Sequence, residues 1–221
     1  MLAHIVLFDG FDPLDVIAPY EVLRASRMVT DRPVRVELVS AEGPREVPSG
    51  LDALALRATA RLDPARADLV VVPGALGSLP DGGEPADDSI PVILGRTLDT
   101  GLPALLKEAL DRPGLTVATV CGGSMILAMA GLIEGRPATS HQLGLDLLEA
   151  TGTKMLDVRI VDDGDLISSS SVTSGLDLGL YLLERELGPR VAVAVEKLVA
   201  HERRGTVWRA EGAEATLGAR P

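Results

Sequence analysis

Short stretches that are apolar throughout alternate along this chain with stretches whose apolar residues recur every three to four positions. "HIVLF" (4–8), "DLVVVPG" (68–74) and "TVATV" (116–120) are of the first kind. Such runs predict strands buried on both faces. "VRVELVS" (34–40) alternates apolar and polar residues and predicts a fourth strand. "LDVIAPYEVLRAS" (14–26) has helical spacing, with Val16, Tyr20, Val22 and Leu23 able to line one side, and Pro19 in its early part, where a missing N–H is tolerated. "GLPALLKEALDRPG" (101–114), "GSMILAMAGLIEG" (123–135) and "HQLGLDLLEATG" (141–152) predict further helices. "RIVDDGDLISS" (159–169) predicts a hairpin turning at Asp163-Gly164. "SGLDLGLYLLERELG" (174–188) predicts a helix capped by Ser174 and stopped by Gly188, and "PRVAVAVEKLVAHERR" (189–204) a last one. "LDALALRATARL" (51–62) reads equally as strand or helix, and "GALGSLPDGGEPADDS" (74–89) as a long polar loop.

Strands that alternate with helices and are apolar on both faces argue for an α/β fold with a mostly parallel sheet covered on each side. With no internal repeat and no dividing linker, residues 1–204 are expected to form one domain, and residues 205–221 a flexible tail. In such folds ligands meet the carboxyl ends of the strands. That directs attention to Asp9–Asp15, Pro73–Gly77 and Cys121–Ser124.

Composition narrows the partners. Of 221 residues 46% are hydrophobic but only 2% aromatic, so the core is aliphatic and base stacking has little to work with. The formal charge of −11 disfavours nucleic acid and anionic membrane surfaces. A single cysteine forms no disulfide within the chain, and a reducing cytoplasm fits it best. The start of the chain lacks the pattern of a signal peptide, and no apolar run approaches the roughly 18 residues of a membrane span. No metal-ligand cluster, GxGxxG or Walker motif is present, so no cofactor is expected.

The single cysteine, Cys121, stands where a strand gives way to Gly122, Gly123 and a helix. A lone cysteine is more often an inert core residue. At a strand-turn-helix junction, however, its sulfur projects at the sheet edge as in a nucleophile elbow. Amides at the helix start are expected to favour a thiolate and to stabilise an oxyanion. The turn after the third buried strand offers the amides of Gly74 and Ala75 to the same pocket. Asp9, Asp12 and Asp15 all follow the first strand, and spacing does not choose among them for proton transfer to sulfur. His4 and His201 fall within regular elements; His141, in a loop before a helix, is the histidine available as a base.

"HIVLFDGFDPLDVIAPYEVL", "DLVVVPGALG", "VATVCGGSMILAMAGLIEGRPATSH" and "VTSGLDLGLYLLE" together resemble the PfpI-like superfamily of class I glutamine amidotransferase-like domains, in order from about residue 3 to residue 204. The resemblance implies a flavodoxin-like three-layer sandwich, a homodimer and a reactive cysteine. Within the superfamily the chain looks most like the isonitrile hydratase branch, because the family's acidic position is Asp15 rather than glutamate. On this resemblance Cys121 is the nucleophile, Asp15 the proton-transfer group and His141 the family histidine, while Gly74, Ala75 and Gly122 form the oxyanion site. The implied reaction adds water to a small isonitrile to give a formamide. Deglycase-like action on reactive carbonyls and a non-enzymatic redox or ligand-sensing role are the alternatives. Two residues depart from the branch: Gly122 replaces the expected threonine, and Gln142 an expected tryptophan. A related group senses ligands for AraC-type regulators, but no DNA-binding module is expected within this length.

Overall fold

The structure, a computed structural model, describes residues 1–79 and 86–212. In chain order the elements are β1 (Leu2–Val6), α1 (Pro13–Ala25), β2 (Arg35–Ser40), β3 (Arg45–Pro48), β4 (Ala55–Ala58), β5 (Ala60–Arg61) and β6 (Leu69–Val72). Then come α2 (Ile90–Arg96), α3 (Leu102–Asp111), β7 (Thr116–Val120), α4 (Gly123–Met129), β8 (Pro137–Ala138), α5 (Leu145–Ala150) and β9 (Lys154–Met155). The last are β10 (Ile160–Asp162), β11 (Leu166–Ser169), α6 (Ser174–Leu187), α7 (Pro189–Val199) and β12 (Trp208–Arg209).

Eight strands form one sheet in the order β12-β10-β11-β7-β6-β1-β2-β5. Every pairing is parallel except β10 with β11, the expected hairpin, which turns at Gly164 with φ 84°. β1, β6 and β7 lie in its middle, and β6 and β7 are buried at every residue, as expected for strands covered on both sides. One side carries α1, α6 and α7 packed on one another, the other α2, α3 and α4. This is the expected α/β sandwich. Its core is aliphatic, with Ile5, Leu23, Leu69, Leu106, Ile126 and Leu127 fully enclosed. Among the described residues no helix is long and apolar enough to cross a membrane.

Several local expectations change. α1 begins at Pro13, so Pro19 falls at mid-helix and not in its early part. Its missing N–H deprives the Asp15 carbonyl of a helical partner. The ambiguous 51–62 stretch divides into two strands, β4 and β5. The short α2 after the polar loop had no signal of its own. α4 stops at Met129, because Gly131 turns with φ 70°. Thr173, not Ser174, occupies the cap position of α6, and the Ser174 hydroxyl is buried without a partner among the described residues. α7 stops at Val199, where Ala200 turns left-handed.

The chain around the start of the expected tail, residues 205–221, makes specific contacts. The buried Asp177 accepts from both the Arg159 side chain (2.6 and 2.9 Å) and the Arg204 backbone N–H (2.9 Å), and lies 3.0 Å from His201 Nε2. This leads the chain to β12, which pairs with β10 at the sheet edge. The start of the expected tail is therefore part of the sheet, and residues 213–221 lie outside the described ones.

Candidate active site

β7 delivers Cys121 to the centre of the carboxyl edge. Its φ is 55°, and only two other non-glycine residues among those described have a positive φ. Such a conformation costs on the order of 1–3 kcal/mol and persists only when neighbours hold it. Here they do. The Cys121 N–H donates to the carbonyls of Ser169 (3.1 Å) and Ser170 (2.8 Å) at the end of β11. Its carbonyl accepts from the hydroxyl of Ser140 (3.1 Å). The expected elbow is present, and the residue is only 6% exposed.

Close packing dictates glycine on either side of the elbow. A Cβ on Gly123 would lie 2.1 Å from the Val72 carbonyl oxygen, so only glycine lets α4 begin against the end of β6. A Cβ on Gly74 would lie 2.6 Å from the Gly122 nitrogen and 2.9 Å from Asp15 Oδ2. Gly74 thus admits both the elbow and the carboxylate.

Asp15 sits in the first turn of α1, fully buried. Its Oδ2 accepts the Gly74 N–H at 2.9 Å, and Oδ1 has no hydrogen-bond partner among the described residues. The carboxyl faces the Cys121 thiol. Burial pushes the Asp15 carboxyl well above the ordinary carboxylate value, and the neighbouring Asp12 adds to this; the Gly74 N–H and the thiol oppose it. Burial likewise pushes the Cys121 thiol up, reinforced by the charges of Asp15 and Asp12, with the Gly122 N–H opposing. The expected low-pKa thiolate is therefore corrected. One amide at the start of a seven-residue helix is outweighed by desolvation and two acids.

The three candidate aspartates separate. Asp9 is exposed and ion-paired with Arg45 at 2.6 Å. Asp12 caps α1, its Oδ1 accepting the Leu14 N–H at 2.9 Å, and burial raises its carboxyl. Only Asp15 faces the sulfur.

The amides separate as well. The Gly74 N–H is engaged by Asp15, not open to an oxyanion as expected. Ala75 lies opposite Phe11 between the bonds Asp12 N–H to Gly74 O and Leu76 N–H to Gly10 O. Its own N–H donates to no acceptor among the described residues. The Gly122 N–H faces the sulfur. Among the described residues, the amides left without an oxygen acceptor are therefore those of Ala75 and Gly122.

His141 precedes a short 3-10 turn, and its Nδ1 accepts the Leu143 N–H at 3.2 Å. Its neutral ring therefore carries the proton on Nε2. Among the described residues it makes no hydrogen bond to Cys121 or Asp15, and its charged neighbour is Asp12. The residue of this loop that reaches the elbow is Ser140, which had no signal beyond its place before the histidine. No group of three or more His, Cys, Asp or Glu residues that could hold a metal ion occurs among the described residues.

A mostly parallel α/β sandwich with a strained cysteine at a central strand end, backed by a buried aspartate, defines a class of elbow-cysteine proteins. The sequence profile of the DJ-1/PfpI family matches residues 95–185. The chain is 30% identical over 192 residues to isonitrile hydratase of Pseudomonas putida, covering 86% of this chain and 74% of that one. This chain belongs to the DJ-1/PfpI family. It is also 28% identical over 197 residues to the HTH-type transcriptional regulator CdhR of Pseudomonas aeruginosa, covering 87% of this chain and 52% of the regulator. The crystal structure of Drosophila melanogaster DJ-1beta superimposes with a TM-score of 0.73 at 20% identity, covering 91% of this chain and 98% of that one.

Proposed function

We propose that this protein is a cofactor-free enzyme that adds water to a small electrophilic carbon through Cys121, with an isonitrile as the substrate the site suits best. The observation that carries this reading is Asp15, buried, pinned at Oδ2 by Gly74 and facing the thiol with Oδ1 unpartnered among the described residues. An isonitrile carbon accepts a soft nucleophile and a proton in succession. The thiol S–H bond breaks, sulfur bonds to the terminal carbon, and the proton reaches that carbon by way of Asp15, giving a thioimidate. Water then adds to the C=N bond. Loss of the C–S bond returns a proton to sulfur and releases the N-substituted formamide. Ala75 and Gly122 supply N–H groups toward the oxygen that develops in the second half. His141, with Nδ1 occupied by its own turn, acts at most through Asp12.

The test is formamide production from a simple alkyl isonitrile. Wild type should turn over and Cys121→Ala should not; an active alanine variant would exclude the covalent route. A second reading is favoured by the likeness to a transcriptional regulator and by the absence of a hydroxyl at Gly122: a sensing module in which Cys121 binds a ligand or is oxidised once by peroxide, which is reduced to water as the thiol becomes a sulfenic acid. Stoichiometric modification of Cys121 without turnover of isonitrile or methylglyoxal would select it.

We also infer a homodimer. Ile17, Met28 and Leu198 are exposed around a groove of about 820 Å³ on α1 and its neighbours, a face suited to a second copy of the chain. Light scattering should return twice the monomer mass, and Ile17→Asp should return the monomer. A wild-type monomer at micromolar concentration would end this inference. The single cysteine suits a reducing cytoplasm.

A further inference from the structure

Gly122 has φ −70° and ψ −1°, a conformation open to any residue, so its backbone gives no reason for glycine. The side chain that closes on this position comes from elsewhere. A Cβ built at Gly122 meets Leu94 Cδ1 at 3.3 Å and Cδ2 at 3.8 Å. Leu94 belongs to α2 and is buried. Its neighbour Ile93 holds that helix in place: Ile93 Cγ2 stands where a Cβ on Gly10 would come within 2.6 Å, and Gly10 is further committed to glycine by its φ of 87°. Ile93 also lines a cleft of about 1240 Å³, while Leu94 turns toward the elbow.

We propose that Leu94 is the specificity-determining residue of this site. Its terminal methyls border the space into which a side chain longer than a methyl at position 122 would extend, so the wall beside the residue that follows the nucleophile is apolar and supplied by α2. The wall restricts the site to electrophiles whose substituent is short and apolar. The proposal rests on Cys121 as the reactive group, and not on the identity of the natural substrate.

The test uses N-methyl-, N-ethyl- and N-cyclohexylmaleimide, in which the thiol adds across the C=C bond and its proton ends on the adjacent carbon. Labelling of Cys121 is followed by mass spectrometry, with Cys121→Ser as the blank and thermal unfolding as the check on folding. Wild type should discriminate against the cyclohexyl reagent, and Leu94→Ala should reduce that discrimination about tenfold or more, with Leu94→Val between them. Gly122→Thr should slow the methyl reagent, and the double variant Gly122→Thr/Leu94→Ala should recover most of the loss, because the two side chains compete for one space. Efficient labelling with the same reagent preference in wild type and Leu94→Ala would overturn the proposal while leaving the nucleophile in place. A Cys121 silent to all three reagents in both proteins would overturn the nucleophile reading and the proposal with it.

Discussion

At the scale of the residue, Cys121 and Asp15 share a dry site that raises the protonated form of each. Two acids in such contact titrate as a pair, and the sulfur becomes nucleophilic as its proton passes to the carboxylate. Activity should therefore rise with pH as the pair loses its first proton, along a limb lying above the ordinary aspartate value of 3.8. In Asp15→Asn the limb should vanish and kcat/KM should fall about 10²- to 10⁴-fold. An unmoved limb in the asparagine variant would show that another group carries the proton. The cysteine was legible in the sequence because a single thiol sat between a buried strand and two glycines. Its raised pKa was not, since desolvation depends on what folds over the sulfur.

At the scale of the element, the site exists because β6 and α4 approach closely enough to exclude any side chain at Gly123. Gly123→Ala places a methyl 2.1 Å from the Val72 carbonyl oxygen, which is rigid backbone. The variant should lose about 3 kcal/mol or more of stability in urea unfolding, against a small loss for Gly122→Ala, whose neighbour is the flexible end of Leu94. Equal effects at the two positions would contradict the packing described. Helices and strands with strong periodicity were legible, because their apolar faces match the layers they bury against. α2 was not. Its seven residues are too few to show a period, and it is held by contact with Gly10 and Gly122. Nor was β12, whose path to the sheet edge depends on the buried charge of Asp177.

At the scale of the whole molecule, the sheet encloses His4 completely, with neither ring nitrogen hydrogen-bonded among the described residues. Burial holds its pKa below 6.5; the charges facing it oppose one another, Glu37 and Asp63 raising the value and Arg66 lowering it. The folded state thus binds this proton less readily than the unfolded chain. Stability is fully present above pH 6.5 and is lost progressively as pH falls below it toward the folded value. Urea midpoints measured from pH 7.5 to 5 should decline in the wild type, and less steeply in His4→Gln. Parallel declines would assign the effect to other groups.

What the sequence determined by itself was the layered α/β architecture, the order of its main elements and the position of the candidate nucleophile. All three rest on local patterns: periodicity, turn residues and one cysteine at a strand-helix junction. Spacing left three aspartates equivalent, and the likeness to a family pointed to Asp15. The tertiary structure sorted the three by burial and partner, closed the Gly74 amide on that carboxylate, turned His141 into its own cap and set Leu94 over Gly122. Most of these are contacts between segments far apart in the chain, and all depend on distances and desolvation that no local pattern records.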